Sequence, residues 1–183
     1  MPRFCSACGA PIGARAPVLC TACGAAHWHN AKPAGAALVV HDGRLLLTRR
    51  AIEPWRGTWC APSGFCETNE HPAACAEREA LEEAGIRVRV IGYLGIWIDE
   101  YLPAADAASE AQYCAVSYYH AVPVREAQPR LRGDHEVAEV SWFAPDALPT
   151  DLSPPASGPR IYSAWRHALA ADNLETPLPD VSL

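Results

Sequence analysis

The stretch GFCETNEHPAACAEREALEEAGI, residues 64–86, decides both the fold and the chemistry that this sequence predicts. Glu79, Glu82 and Glu83 are three and four residues apart, so a helix places them on one face. Carboxylates crowded in this way repel each other unless a cation lies between them, and hard divalent ions such as Mg²⁺ prefer oxygen ligands. Since Mg²⁺ also bridges to phosphate oxygens, the stretch predicts a site for phosphate chemistry.

The ends of this helix are also marked in the sequence. Pro72 fits a first helical turn, where its missing N–H is not needed, and Gly85 is a typical helix stop. Small and apolar residues fall on the side opposite the acids and predict a face packed on the core, with Glu77 at its edge. They are Ala73, Ala74, Ala80, Leu81 and Ala84.

These residues resemble the Nudix box, G-x5-E-x7-R-E-U-x-E-E-x-G-U, in which U is an apolar residue. The matching positions are Gly64, Glu70, Arg78, Glu79, Glu82, Glu83, Gly85 and Ile86, with Ala80 as a small variant at the first U. A solvated acidic helix face is the alternative, because most charge runs are of that kind. The filling of every fixed position favours the family instead.

The resemblance implies an α/β/α sandwich with a mixed sheet over roughly residues 33–172, and an enzyme that hydrolyses a pyrophosphate bond. By similarity to the family, Glu79, Glu82 and Glu83 would hold Mg²⁺ or Mn²⁺, and Arg78 would pair with Glu70 to keep loop and helix in register. A general base must also take a proton from the attacking water. The sequence leaves four candidates open: Glu82, Glu83, Glu136 and Glu139.

The loop before the box predicts contacts to the substrate. Arg49, Arg50 and Arg56 suit a distal phosphate or ribose, and Trp55 offers a flat face for a base. The alternative is that Trp55 packs the loop and the arginines are solvated.

The expected substrate is a nucleoside diphosphate linked to another moiety. Nudix proteins with a zinc ribbon include NADH pyrophosphatases, which carry an SQPWPFPxS-like array after the box. Residues 87–114 contain nothing like it, so an ADP-ribose-like molecule or a nucleotide sugar is favoured. The alternatives are an NADH pyrophosphatase-like hydrolase and a non-catalytic nucleotide sensor.

Residues 1–30 predict a small zinc ribbon ahead of the main domain. Two cysteine pairs with the same spacing are each followed by glycine: Cys5 with Cys8, and Cys20 with Cys23. Four thiolates suit tetrahedral Zn²⁺, and such a closed site is structural rather than catalytic. Disulfides and free thiols are alternatives, and His27 and His29 could compete as ligands but are expected to be ordinary histidines.

Composition limits the remaining possibilities. The chain has 183 residues and a net charge of −6, so a broad basic surface for duplex nucleic acid is not expected. No apolar run reaches a membrane span and the start has no signal-peptide pattern, which predicts a cytoplasmic protein. A homodimer is a further possibility, with the ribbon helping it to form.

The pattern along the chain predicts the other elements. Expected strands are Ala36–Val40, Leu45–Thr48, Val88–Ile98, Tyr113–Val122 and Val140–Phe143, with a C-terminal helix at Arg160–Ala171. Asp99–Gln112 is expected to be a loop, residues 51–64 another, and residues 173–183 a loose tail.

Overall fold

The computed structural model describes residues 4–13, 18–102, 111–125, 128–131 and 135–176. The chain divides into two compact units. The smaller unit consists of residues 1–31 and 100–113, and the larger unit consists of residues 32–99 and 114–183. In the smaller unit, strand β1 (Val18–Leu19) pairs antiparallel with strand β2 (Ala26–His27).

A seven-stranded mixed sheet forms the centre of the larger unit. Its strands are β3 (Lys32–His41), β4 (Arg44–Arg50), β5 (Trp59–Cys60), β6 (Ser63–Phe65), β7 (Val88–Leu102), β8 (Gln112–Pro123) and β9 (Val137–Phe143). The main order is β5-β4-β3-β8-β7, with β6 paired to β3 and β9 paired to β4. Strand β3 is parallel to β8 and antiparallel to β4 and β6. Strand β3 is thus hydrogen-bonded to three strands, and its residues 34–40 are buried.

The β3–β4 hairpin turns at an Asp-Gly pair, which is itself a hairpin signal in the sequence. Val40 pairs with Leu45, and the two residues between His41 and Arg44 have positive φ, 49° at Asp42 and 72° at Gly43. An Asp-Gly pair tolerates this backbone, which suits the right-handed twist of the strands it joins.

Helix α1 (Pro72–Ala84) lies against β3 and carries the acidic residues of the box. His71 caps its first turn, accepting a hydrogen bond at Nδ1 from the Ala73 N–H at 3.1 Å. Gly85 ends it with φ 66°. Contact with β3 is close because Gly35 has no side chain: a Cβ there would overlap the carbonyl oxygen of Pro72.

The buried face of α1 is rotated from the predicted one. Ala80 and Ala84 are buried as expected, but Ala74 is exposed, and Cys75 and Ala76 are fully buried instead. Ala76, Ala80 and Ala84 pack in a core with residues of β3, β4, β7 and β8, which include Val39, Leu46, Val90 and Tyr119. Glu77, placed at the edge by sequence, accepts a hydrogen bond from the Val90 N–H at 2.7 Å.

Helix α2 (Gly158–Ala170) completes the α/β/α sandwich, and the predicted fold class is confirmed. Ile161 and Trp165 are fully buried, as their spacing predicts. Tyr162 is buried too, and its hydroxyl accepts a hydrogen bond from the Ala61 N–H at 2.9 Å. Within the described residues, no helix combines the length and apolar character that crossing a membrane requires.

Three local predictions need correction. The loop expected from Asp99 begins later, because β7 continues to Leu102; residues 103–110 lie outside the described part. The loop before the box contains β5 and β6, which are too short for a pattern to show. The tail is not loose at its start, since Thr176 accepts a hydrogen bond from the Tyr93 N–H at 2.7 Å and donates one to the Tyr93 carbonyl at 3.2 Å. Residues 177–183 lie outside the described part.

Candidate active site

Glu83 is the most deeply buried acid of the box helix, with 7% of its surface exposed. It accepts a hydrogen bond at Oε2 from the Thr48 hydroxyl, 3.0 Å away. Burial, followed by the nearby charge of Glu79, raises the pKa of Glu83 to about 8. A carboxyl in this position needs a positive charge beside it to be ionised at neutral pH.

Glu79 lies beside Glu83 on the same helix face and is also removed from water. Burial raises the pKa of Glu79, and the charges of Glu82 and Glu136 act in the same direction. Its carboxylate lies against the backbone of β6, where a Cβ at Gly64 would overlap it. The absence of a side chain at Gly64 therefore leaves room for the Glu79 carboxylate, and the φ of Gly64 is not positive.

Arg78 connects the acids of the box. Its guanidinium donates to both oxygens of Glu70, through Nε and Nη2 at 2.8 Å each, which is the predicted ion pair in bidentate form. Nη1 donates to Glu79 at 2.6 Å and to the exposed Glu82 at 2.8 Å. Hydrogen bonding by Arg78 lowers the pKa of Glu70 to about 2. The pair also fixes the loop before α1, because Nη2 donates to the Phe65 carbonyl at 3.1 Å.

Glu136 and Glu139, the two candidate bases outside the box, differ in their surroundings. Glu136 is close enough to Glu79 for its charge to raise the pKa of that carboxyl. Its carbonyl accepts a hydrogen bond from the Ala51 N–H at 2.8 Å, which attaches this turn to the end of β4. Glu139 pairs with Arg49 at 3.7 Å on the exposed surface of the β4–β9 ladder.

The predicted substrate-contacting residues are tied into the loop that follows β4. Each arginine donates its Nε to a loop carbonyl: Arg49 to Gly57 at 2.8 Å, Arg50 to Pro54 at 2.7 Å, and Arg56 to Ala51 at 2.7 Å. The Arg50 guanidinium also lies 5.9 Å from the centre of the Trp55 ring. The arginines are therefore bound to the loop and not only solvated, and a role in substrate binding stays a prediction.

Comparison with known proteins decides the family. The NUDIX domain family profile matches residues 31–163. The chain belongs to the Nudix family.

Relatives of this Nudix chain carry several names. It is 30% identical over 151 residues to "NAD-capped RNA hydrolase NudC" of Stutzerimonas stutzeri (strain A1501), a match over 80% of this chain and 50% of that protein. It is 44% identical over 69 residues to "MutT-like protein" of Streptomyces ambofaciens, covering 38% of this chain and 42% of that protein. The chain therefore spans about half the length, or less, of these curated relatives.

Among solved structures, the chain is similar to a NUDIX hydrolase from Nitrosomonas europaea. The TM-score is 0.72 with 26% identity, and the match covers 96% of this chain and 95% of that one. Nearly the whole of this chain is thus compared with nearly the whole of a Nudix structure.

The Nudix box acids provide a donor set that fits a hard divalent cation. Glu79, Glu82 and Glu83 supply only carboxylate oxygens. Burial raises the pKa of both Glu79 and Glu83, so their ionised forms would be favoured by added positive charge. A cation on this face would supply that charge.

Thr48 is a site residue that sequence reasoning missed. It is 1% exposed and is the hydroxyl donor to Glu83. Strand alternation could have indicated it, since Leu46 packs in the core beneath α1 and Thr48 is two residues further along β4. Ser63 in β6 pairs with Ala36, and its backbone hydrogen-bonds Glu83.

The N-terminal cysteines converge as the spacing predicts. All four Sγ atoms, from Cys5, Cys8, Cys20 and Cys23, lie within 4.8 Å of one another. Gly9 and Gly24 follow the pairs with φ 74° and 76°, so both turns use the conformation that glycine permits. The Cys23 and Ala22 backbone N–H groups hydrogen-bond the Cys20 sulfur and lower its pKa to about 7. The buried His27 lies outside this group, with Nε2 3.3 Å from the Cys5 Sγ.

Proposed function

We propose that this chain hydrolyses a pyrophosphate bond in a nucleoside diphosphate linked to another moiety, and that the reaction depends on a divalent cation. The observation that carries the proposal is the arrangement on α1. Two partly desolvated carboxylates, Glu79 and Glu83, lie on one face with Glu82. Arg78 links Glu79 and Glu82 to Glu70. A divalent cation bound to this face would compensate the carboxylate charges and could also bind phosphate oxygens of the substrate.

Glu79, Glu82 and Glu83 would hold Mg²⁺ or Mn²⁺, which would neutralise the phosphate oxygens when bound. The chain's own groups position this set. Thr48 orients the Glu83 carboxylate through its hydroxyl, and Gly64 leaves room for Glu79. Arg78 and Glu70 attach the preceding loop to the helix, so the acids keep one geometry as substrate enters.

We propose Glu136 as the general base among the four candidates. Glu136 is near enough to Glu79 to influence its ionisation. A base at that position would take the proton of a water beside the acidic face.

The favoured substrates are ADP-ribose-like molecules and nucleotide sugars, because the array typical of zinc-ribbon NADH pyrophosphatases is absent after the box. One observation favours a second candidate, a hydrolase of NADH-like dinucleotides. Relatives named "NAD-capped RNA hydrolase NudC" match 80% of this chain at 28–30% identity.

A substrate panel separates these candidates. The protein is incubated with ADP-ribose, a UDP-sugar and NADH, each with Mg²⁺, with Mn²⁺ and with a chelator, and the products are identified by mass spectrometry. Cleavage between the phosphates in the presence of a cation is expected. The compound that is cleaved fastest identifies the substrate class. A Glu136→Gln variant should be slow on that substrate and a Glu139→Gln control close to wild type. The absence of cleavage for every member of a wider nucleotide panel would reject the proposed function.

The proposal extends to the smaller unit. Cys5, Cys8, Cys20 and Cys23 would hold one structural Zn²⁺, supported by the convergence of their sulfurs. A homodimer stays a prediction, and the mass in solution measured by light scattering tests it.

A further inference from the structure

A second group of metal-binding side chains lies next to the box face. The Cys66 Sγ, the Cys75 Sγ and a Glu70 carboxylate oxygen all lie within 4.8 Å of one another. Cys66 follows strand β6 and is half-buried, whereas Cys75 is fully buried on α1. The three residues come from a strand end, a loop and a helix, which the fold brings together at the start of α1.

The group is already ordered by other contacts. The Glu67 N–H donates to the Glu70 carboxylate at 2.8 Å, which holds the loop. The Cys75 thiol donates to the Gly64 carbonyl at 3.3 Å, so its sulfur is fixed beside the end of β6. Three ligand atoms placed in this way lose little freedom when an ion binds.

The chemistry of these donors differs from that of the box face. Two sulfurs and one carboxylate suit a thiophilic ion with tetrahedral geometry, whereas Mg²⁺ prefers oxygen alone. A water molecule could supply the fourth ligand from the half-buried Cys66 side. Binding would release the two thiol protons to solvent.

Glu70 links this group to Arg78. Both of its oxygens accept hydrogen bonds from the Arg78 guanidinium, which also contacts the Cys75 sulfur at 3.4 Å. An ion that takes a Glu70 oxygen must therefore compete with Arg78. Since Arg78 also contacts Glu79 and Glu82, the competition reaches the box face.

We propose that Cys66, Glu70 and Cys75 form a site for a thiophilic divalent ion such as Zn²⁺ or Cd²⁺, and that its occupation inhibits the enzyme by drawing Glu70 away from Arg78. The binding half of this proposal is independent of the proposed function, whereas the inhibition half rests on it.

Cadmium is the probe for the binding half. The full chain, loaded with zinc and kept with a phosphine reductant to prevent disulfides, is titrated with Cd²⁺ while sulfur-to-cadmium charge-transfer absorption is recorded. The variants are Cys66→Ser and Cys75→Ser, with Cys114→Ser as the control because Cys114 is a buried thiol outside the group. Wild type and control should bind one more Cd²⁺ per chain than either test variant. Equal stoichiometry in all four proteins would overturn the proposal.

Alkylation keeps the test valid if Cys75→Ser does not fold. Cd²⁺ should protect Cys66 of the wild-type chain from iodoacetamide, as read by peptide mass spectrometry, and unchanged alkylation would contradict the site.

For the inhibition half, the rate with Mg²⁺ and the best substrate is compared with and without Cd²⁺ for each protein. Wild type and Cys114→Ser should be inhibited and recover with a chelator, while Cys66→Ser should not be inhibited. If wild type hydrolyses nothing, the proposed function fails, but the binding result still decides the site.

Discussion

The ion pair between Glu70 and Arg78 should make a measurable contribution to stability that disappears in acid. The pair is well shielded, with 14% of the Glu70 side chain and 23% of the Arg78 side chain exposed. Hydrogen bonding by Arg78 lowers the pKa of Glu70 from 4.5 to about 2 in the folded protein. At about 1.4 kcal/mol per pH unit, this difference corresponds to about 3 kcal/mol at pH 7.

The direction of the pH dependence of stability follows from the lowered pKa of Glu70. A carboxyl with a lowered pKa stabilises the folded state fully above its unfolded value of 4.5, and loses that contribution as the pH falls toward 2. Between those values, at pH 3, roughly half of this contribution should be left. The Glu70→Gln variant, which cannot ionise, should therefore be less stable than wild type by a margin that shrinks in acid.

Urea unfolding followed by tryptophan fluorescence at pH 7 and pH 3 measures this margin. Glu67→Gln is the matched control, because Glu67 is an exposed glutamate three residues away in the same loop. The loss in Glu70→Gln should exceed that in the control at pH 7 and approach it at pH 3. The reasoning is refuted if the two variants lose equal stability at pH 7, or if the margin of Glu70→Gln is the same at both pH values.

Four other changes test the site and the smaller unit. Glu83→Gln should lower kcat by orders of magnitude, because a neutral amide replaces a carboxylate ligand; rates near wild type would contradict its role. Thr48→Val should cost about 1–3 kcal/mol of unfolding free energy, because the buried Glu83 loses a donor; an unchanged urea midpoint would count against this. Chelation should remove about one Zn²⁺ per chain and unfold residues 1–30 while part of the hydrolysis persists; a protein without zinc by metal analysis would overturn the ribbon. Trp55→Ala should raise KM with little change in kcat if the ring stacks on a base, a contact worth about 1–3 kcal/mol; a lower Tm with unchanged KM, compared with Arg50→Ala, would make Trp55 structural.

Features that depend on regular spacing could be predicted from the sequence. A helix fixes which residues share a face, so the acids at positions 79, 82 and 83 could be grouped from their spacing alone. The paired CxxCG motifs predicted the local turns of the N-terminal unit in the same way. The hairpin at Asp42 and Gly43 followed from turn chemistry.

Features that depend on the path of a loop could not be predicted. The burial of Cys75 and the exposure of Ala74 reflect how α1 is rotated against β3, where Gly35 leaves room for the Pro72 carbonyl. Likewise, the contacts of Arg49, Arg50 and Arg56 with loop carbonyls depend on how the chain turns between β4 and β5. The sequence gives the residue type at these positions but not the direction in which the side chain points.

Glu70 shows how one residue can belong to two sites with different chemistry. On one side it holds Arg78, whose guanidinium extends to Glu79 and Glu82, a region of oxygen donors that suits hard cations. On the other side it lies with the Cys66 and Cys75 sulfurs, which suit soft cations. The softness of the ligands, not the distance between the sites, would keep the two kinds of ion apart. Because the Arg78 charge already lies against both Glu70 oxygens, it repels a cation at the same carboxylate, and the ion pair sets the threshold that such an ion must exceed.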